Sequence, residues 1–309
     1  MNVLLPTLNQ MGFLFLLIIV GYIVARIGVI PAHATVTLSK MENNIFIPAL
    51  VIGTFMNNFT VERLSTAWQY FAAGSVTLIL TIPAAILIAR LITKDLYIRK
   101  IYTYGLSFSN FGFMGNAVVS ALFPDLFMEY LIFVLPFWVL IYLWATPVLL
   151  IPAEGEAKTL KDKLRPLVNP MFIGMLIGIV LGLLSIKMPT FIDTGISTLG
   201  DCMSPIAMLL TGMTIAKIDI KKALTNVSVY AVSLIRLVAI PGVFLILFHF
   251  LPLPASIELC IICFLAMPLG LNTIVIPAAY GKDSTVAAAL ALISHLLSCI
   301  TIPVIFALV

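Results

Sequence analysis

The chain has 309 residues, 62% hydrophobic and only 10% charged, with a mean hydropathy of +1.17. Soluble domains carry about 25% charged residues, so this balance excludes a soluble globular protein. The formal net charge of +4 does not point to nucleic acid, because the basic residues follow membrane topology.

A membrane span needs about 20 apolar residues. Ten stretches qualify: 8–28, 34–57, 66–91, 100–123, 127–151, 168–187, 190–215, 224–250, 256–280 and 284–308. The first lacks a basic leading region and an Ala-x-Ala site, so it reads as a retained span rather than a signal peptide. The segment from Pro152 to Arg165 carries mixed charges and reads as a solvated cytoplasmic linker. The expected organisation is a first five-helix repeat over 1–151, a linker over 152–167 and a second repeat over 168–309.

Several prolines recur at a nearly fixed separation: Pro31 with Pro189, Pro48 with Pro205, Pro83 with Pro241, and Pro147 with Pro303. Phe123 and Tyr280 share that offset. A unit with an odd number of spans inverts its second copy in the bilayer. The expected fold is therefore all-α, with ten transmembrane helices in two inverted five-helix repeats, the usual plan of secondary transporters.

Lysine and arginine fall mostly on one side. Arg26, Lys40, Arg90, Lys94, Arg99 and Lys100 lie there, as do four residues of the linker, Lys217, Lys221, Lys222 and Lys282. Only Arg63 and Lys187 fall opposite, and Arg236 is intramembrane. The positive-inside rule then puts both termini outside.

The fourth span contains Ser107, Ser109, Asn110, Gly112, Gly115 and Asn116; the ninth contains Met267, Pro268, Gly270, Asn272 and Thr273. These corresponding interruptions mark an expected substrate site. Half-helix N-termini favour an anionic group, and the three asparagines add uncharged donors. The alternative is close helix packing by glycines and interhelical bonding by asparagines.

Glu42, Asp201 and Arg236 are ionisable within spans, which is costly without a cavity or partner. Asp201 matches Asn44 in the repeat, and Glu42 is expected to share a face with Asn44. One reading gives Asp201 or Glu42 proton coupling or gating, with Asn44 beside them, and gives Arg236 a bidentate hold on a carboxylate. The other makes an Asp201–Arg236 or Glu42–Arg236 ion pair. His295 and His249 read as lone core histidines. The four cysteines, including the Cys260–Cys263 pair, read as small core hydrophobes.

These residues carry a resemblance to the auxin efflux carrier family, small bacterial members included. It rests on Asn110-x-Gly112-x-x-Gly115, on Tyr280-Gly281-x-Asp283 and on the positions of Pro48 and Pro205. The family often has proline where this chain has Ala117, so the fourth-span break depends on Asn110, Gly112 and Gly115. The resemblance implies a fold shared with bile-acid/sodium symporters, with broken helices 4 and 9 crossing near the midplane of a mobile core. Glu42 and Asp201 would then sit on the scaffold, and Arg236 and the asparagines in the core. It also implies transport of a small mono- or dicarboxylate such as malonate or malate, by alternating access with proton coupling as one option. A sodium-coupled symporter, or a channel or sensor on the same fold, is the alternative; Ser107, Ser109, Asn110, Asn272 and Thr273 are the oxygens for sodium.

The expected partners are the organic anion, a proton or sodium ion, the lipid bilayer and a second copy in a homodimer. Nucleic acid, cofactor, metal and enzymatic activity are not expected: the sequence has no HExxH, GxSxG or paired intramembrane aspartates. The expected location is a bacterial inner membrane.

Overall fold

The structure is a computed structural model that describes residues 4–31, 33–150, 169–217, 225–251, 253–279 and 282–309. The linker expectation and the Tyr280-Gly281 pair lie outside them. The described residues are mostly helical, with no strand beyond one isolated β-bridge.

Helix α1 covers Leu4–Arg26. Helix α2, Ala34–Met41, runs through a π turn at Glu42–Phe46 into α3, Ile47–Asn58. Pro48 accounts for that turn. Its ring lacks an N–H and would strike the carbonyl four residues earlier. Widening the helix lets the Ile47 N–H bond Glu42 O, five residues back. The same device precedes Pro241, where α11 (Val227–Leu234) passes through a π turn at Ile235–Ala239 into α12 (Ile240–Phe250).

Helix α4, Val61–Ile92, has 32 residues, or roughly 48 Å at 1.5 Å per residue, so it must tilt in a ~30 Å core. Next come α5 (Leu96–Ser107), a π turn at Phe111–Gly115, α6 (Asn116–Leu122), and α7 (Phe127–Leu140) with its π continuation Ile141–Leu150. Beyond the undescribed segment are α8 (Pro170–Leu183), α9 (Thr190–Asp201) and α10 (Met203–Ile215). After α11 and α12 come α13 (Ala255–Leu265), α14 (Asn272–Ala279) and α15 (Thr285–Phe306).

Among the described residues, six continuous helical stretches are long and apolar enough to cross a membrane: Leu8–Arg26, Val61–Ile92, Pro124–Thr146, Thr190–Ile215, Val227–Phe250 and Thr285–Phe306. Phe111–Leu122, Pro170–Leu183 and Ala255–Leu265 are apolar but shorter. Two of these three are halves of interrupted helices. The chain is an integral membrane protein.

Packing falls into two groups. Helix α1 lies along α10, and α3 along α8 and α9. Helix α4 packs on α5 and α7, and α11 on α15, which also lies against α1. The α3–α8 contact depends on glycines at every fourth position. A Cβ on Gly174, Gly178 or Gly182 would fall 3.1, 2.8 or 2.7 Å from the carbonyls of Pro48, Ile52 or Phe55. Such spacing lets backbones approach where lipid gives no hydrophobic drive to association.

Gly178→Val is therefore expected to cost about 1–3 kcal/mol by overpacking, read as a lower melting temperature in fluorescence-detected size exclusion. Gly195→Ala, where nothing lies within 4 Å of the added Cβ, should leave it unchanged.

Candidate functional site

Helices α5 and α13 stop where the chain cannot continue as helix. Phe108 turns extended (φ −121°, ψ 115°) after α5, and Pro268 follows the end of α13. The two broken strands meet: Ser109 forms an antiparallel bridge with Leu269, and the Asn110 N–H donates to Pro268 O at 2.7 Å. Helix resumes at Phe111 on one side and Asn272 on the other. The fourth-span break is thus complete although Ala117 replaces the family's proline. Ala117 lies inside α6, beyond the break. Cross-strand pairing, rather than a local proline, holds it open.

Ending two helices inside protein exposes their last carbonyls. Arg236 answers this. It is 1% exposed, and its guanidinium donates from Nη1 to Leu106 O (3.0 Å), from Nη2 to Phe264 O (3.1 Å) and from Nε to Met267 O (3.3 Å). One fork ties α5 to α13, and it lies 5.6 Å from the Phe264 ring centroid.

This corrects the expected pairings. Arg236 bonds backbone carbonyls, not a carboxylate, and does not line the cavity below. Among the described residues the salt bridge found is Arg63–Glu129, at 3.2 Å. Asp201 is exposed at the end of α9 and pairs with neither Arg236 nor Lys217. Glu42 is fully buried, and neither carboxylate oxygen has a partner among the described residues. Asn44 is exposed and donates to Lys40 O. Glu42 and Asn44 therefore do not share a face, since positions two apart point to different sides of a helix.

A cavity of about 680 Å³ adjoins the crossover. Its floor is Ser109, Asn110, Phe111, Gly112, Gly270, Leu271 and Asn272. Its upper rim is Thr35, Ser39, Lys40 and Asn43 of the α2 segment, with Thr214 and Lys217 at the end of α10. Trp138, Ile141 and Leu210 give it an apolar wall. The Lys217 Nζ donates to Thr35 Oγ1 at 2.6 Å. Desolvation there lowers its pKa from the ordinary lysine value.

Of the expected substrate residues, Asn110, Gly112, Gly270 and Asn272 line this cavity; Gly115, Asn116, Pro268 and Thr273 do not. Gly115 instead makes room for the Tyr130 hydroxyl, and Thr273 Oγ1 bonds Gly270 O at 2.9 Å. The cavity asparagines are also less open as donors than expected. Asn272 Nδ2 donates to the Tyr104 hydroxyl (3.2 Å), and Asn110 Nδ2 meets His295 Nε2 (3.1 Å).

Lys40, Asn43, Ser39, Tyr104, Thr214 and Lys217 escaped the residue-type reading. A signal for the rim was present: Thr35, Ser39 and Asn43 form a polar stripe at i, i+4, i+8 on one helix face.

Broken helices that cross beside a polar-floored cavity in a membrane-spanning chain describe a transport protein. The family model for membrane transport protein matches residues 6–306, and the chain belongs to that family, the auxin efflux carriers. Its function is membrane transport. No curated protein compared with the chain matches it.

Arg236→Gln should leave up to three buried carbonyls unmet and lower stability by roughly 3 kcal/mol, with Arg236→Lys intermediate. Thermal denaturation of the purified protein checks this. A fall in transport affinity without loss of stability would instead place Arg236 on the substrate.

Proposed function

We propose that the chain is a secondary transporter of a small organic anion, a mono- or dicarboxylate such as malonate or malate, bound in the cavity on the crossover. The observation that carries this is the convergence of two half-helix starts, at Phe111 and Asn272, with Lys40 and Lys217 around one cavity. The partial positive charge at such starts favours anions. The two ammonium groups add positive charge, and the apolar wall suits an organic rather than an inorganic anion. The volume falls in the usual range of about 300–1,000 Å³ for small-molecule sites.

On this reading the crossing helices belong to ten spans arranged as two inverted repeats. The paired breaks at corresponding points of the two halves, and the recurring proline spacing, support that layout. Alternating access is motion of the group built on α5, α13 and α15 against the group built on α1, α3, α8 and α10. Lys40 and Lys217 lie on the lysine-rich side, so the cavity opens toward the cytoplasm of a bacterial inner membrane, with the termini outside. Glu42, Asp201 and Asn44 lie on the stationary group in this reading, where they act in gating.

Proton coupling is favoured over sodium. Sodium sites in such folds use unwound carbonyls and half-helix C-terminal ends. Here Arg236 already brings fixed positive charge to the carbonyls of Leu106, Phe264 and Met267. A second cation at the same helix ends is electrostatically opposed.

Uptake of labelled malonate and malate into proteoliposomes, under an imposed pH or sodium gradient, tests the reading. Saturable uptake with counterflow is expected. Lys217→Ala and Lys40→Ala should each raise KM about fivefold, equivalent to roughly 1 kcal/mol. Linear flux without counterflow would make the protein a channel.

A further inference from the structure

His295 sits in the middle of α15, 1% exposed, and does not line the cavity. Its Nδ1 lies 2.7 Å from Ala291 O and its Nε2 lies 3.1 Å from Asn110 Nδ2. A carbonyl only accepts, so Nδ1 carries the proton. In the neutral ring Nε2 is then bare and must accept. This fixes the Asn110 amide with Nδ2 toward the histidine, which leaves Oδ1 as the other end of a side chain that lines the cavity floor. An oxygen acceptor at that point repels a carboxylate.

Protonation reverses the arrangement. Both ring nitrogens of a cationic histidine donate. With Nδ1–H still on Ala291 O, the new Nε2–H needs an acceptor, and Asn110 supplies Oδ1 by turning its amide over. The Nδ2 group then faces the cavity and can donate to an anion. No bond other than N–H is made or broken, and the proton remains on Nε2.

The surroundings make this conditional on the anion. The elements packed on α15 carry few ionisable groups. Helix α11 has Tyr230, α1 has Tyr22 and Arg26, and the π turn has Arg236; α10 and α14 have none, with Lys217 just past the end of α10. Cys299 is the other titratable group of α15. None of these is a carboxylate, and Arg236 opposes a second cation. The carboxylate that touches α15 is Asp283, which accepts from Thr285 at the start of the helix and not beside His295; an anion in the cavity is the negative charge this relay uses.

We propose that His295 is a positioning residue for substrate binding, whose protonation turns over the Asn110 amide and so couples anion binding in the cavity to uptake of one proton. The proposal rests on the transport reading above and deepens it. By linkage, the anion favours the proton as much as the proton favours the anion.

The test uses the full chain carrying His33→Gln and His249→Gln, so that His295 alone of the three histidines remains. Nitrogen-15 NMR at about pH 8 should show the Nδ1–H tautomer, and malonate, unlike chloride, should raise the pH at which Nε2 protonates. An Nε2–H tautomer, or one midpoint for both anions, overturns the relay.

In proteoliposomes with the membrane potential clamped at zero, one proton per anion accumulates malonate about tenfold per pH unit. H295Q should keep saturable downhill uptake and lose that accumulation. Undiminished accumulation in H295Q, or its loss in E42Q alone, assigns the proton elsewhere and overturns the proposal. If malonate, malate and acetate all fail to enter, the transport reading falls. The relay is then decided by lowering the pH until His295 protonates and following the Asn110 side-chain resonances. A shift of Asn110 together with His295 upholds it, and an Asn110 that stays unmoved as His295 protonates overturns it.

Discussion

At membrane depth no solvent water is at hand to satisfy a backbone group, so an interrupted helix survives only if protein supplies the missing partners. That constraint shapes the centre of this molecule. Two helices stop within the span, and their final carbonyls converge on the Arg236 guanidinium. The extended residues after them pair with each other through Ser109 and Leu269. With the C-terminal ends answered by a cation, the restarting ends are left to face a cavity. The positive field of those ends is the basis for an anion site there.

The cost of burying arginine explains its geometry. An isolated buried cation is expensive, and a pair with a carboxylate would have recovered part of that cost. Arg236 takes another solution. Three carbonyl dipoles, each at the negative end of a helix or just past it, spread the compensation over two elements. The guanidinium thereby joins the two segments at the crossover. Arginine suits this better than lysine because its planar fork holds several donors in fixed directions.

The breaks and their locations were legible because they arise from local backbone chemistry. Pro268, Gly270 and the Asn110–Gly112–Gly115 pattern each act within a few residues. The hydropathy profile likewise marks spans by composition alone. Charge partners were not legible. Arg236 meets Leu106, which is distant in sequence, and Phe264 and Met267 through backbone atoms that carry no residue signature. Lys40 and Lys217 read as topology markers because their position on a cavity rim depends on α2 and α10 lying side by side.

His295 shows the same division most sharply. As a lone histidine in an apolar helix it offered no pattern, since its meaning depends on Asn110 from the other half of the chain. By itself the sequence determined a membrane protein of the auxin efflux carrier family, its transport function and the places where helices must stop. These follow from composition, from local dihedral limits and from motif spacing. Only the tertiary structure decided which groups the stops bring together: Arg236 on carbonyls, Glu42 buried with no partner among the described residues, two lysines over the crossover, and a histidine behind an asparagine. The physical reason is that side-chain pairing depends on packing between helices distant in the chain, which hydropathy and local propensity do not encode.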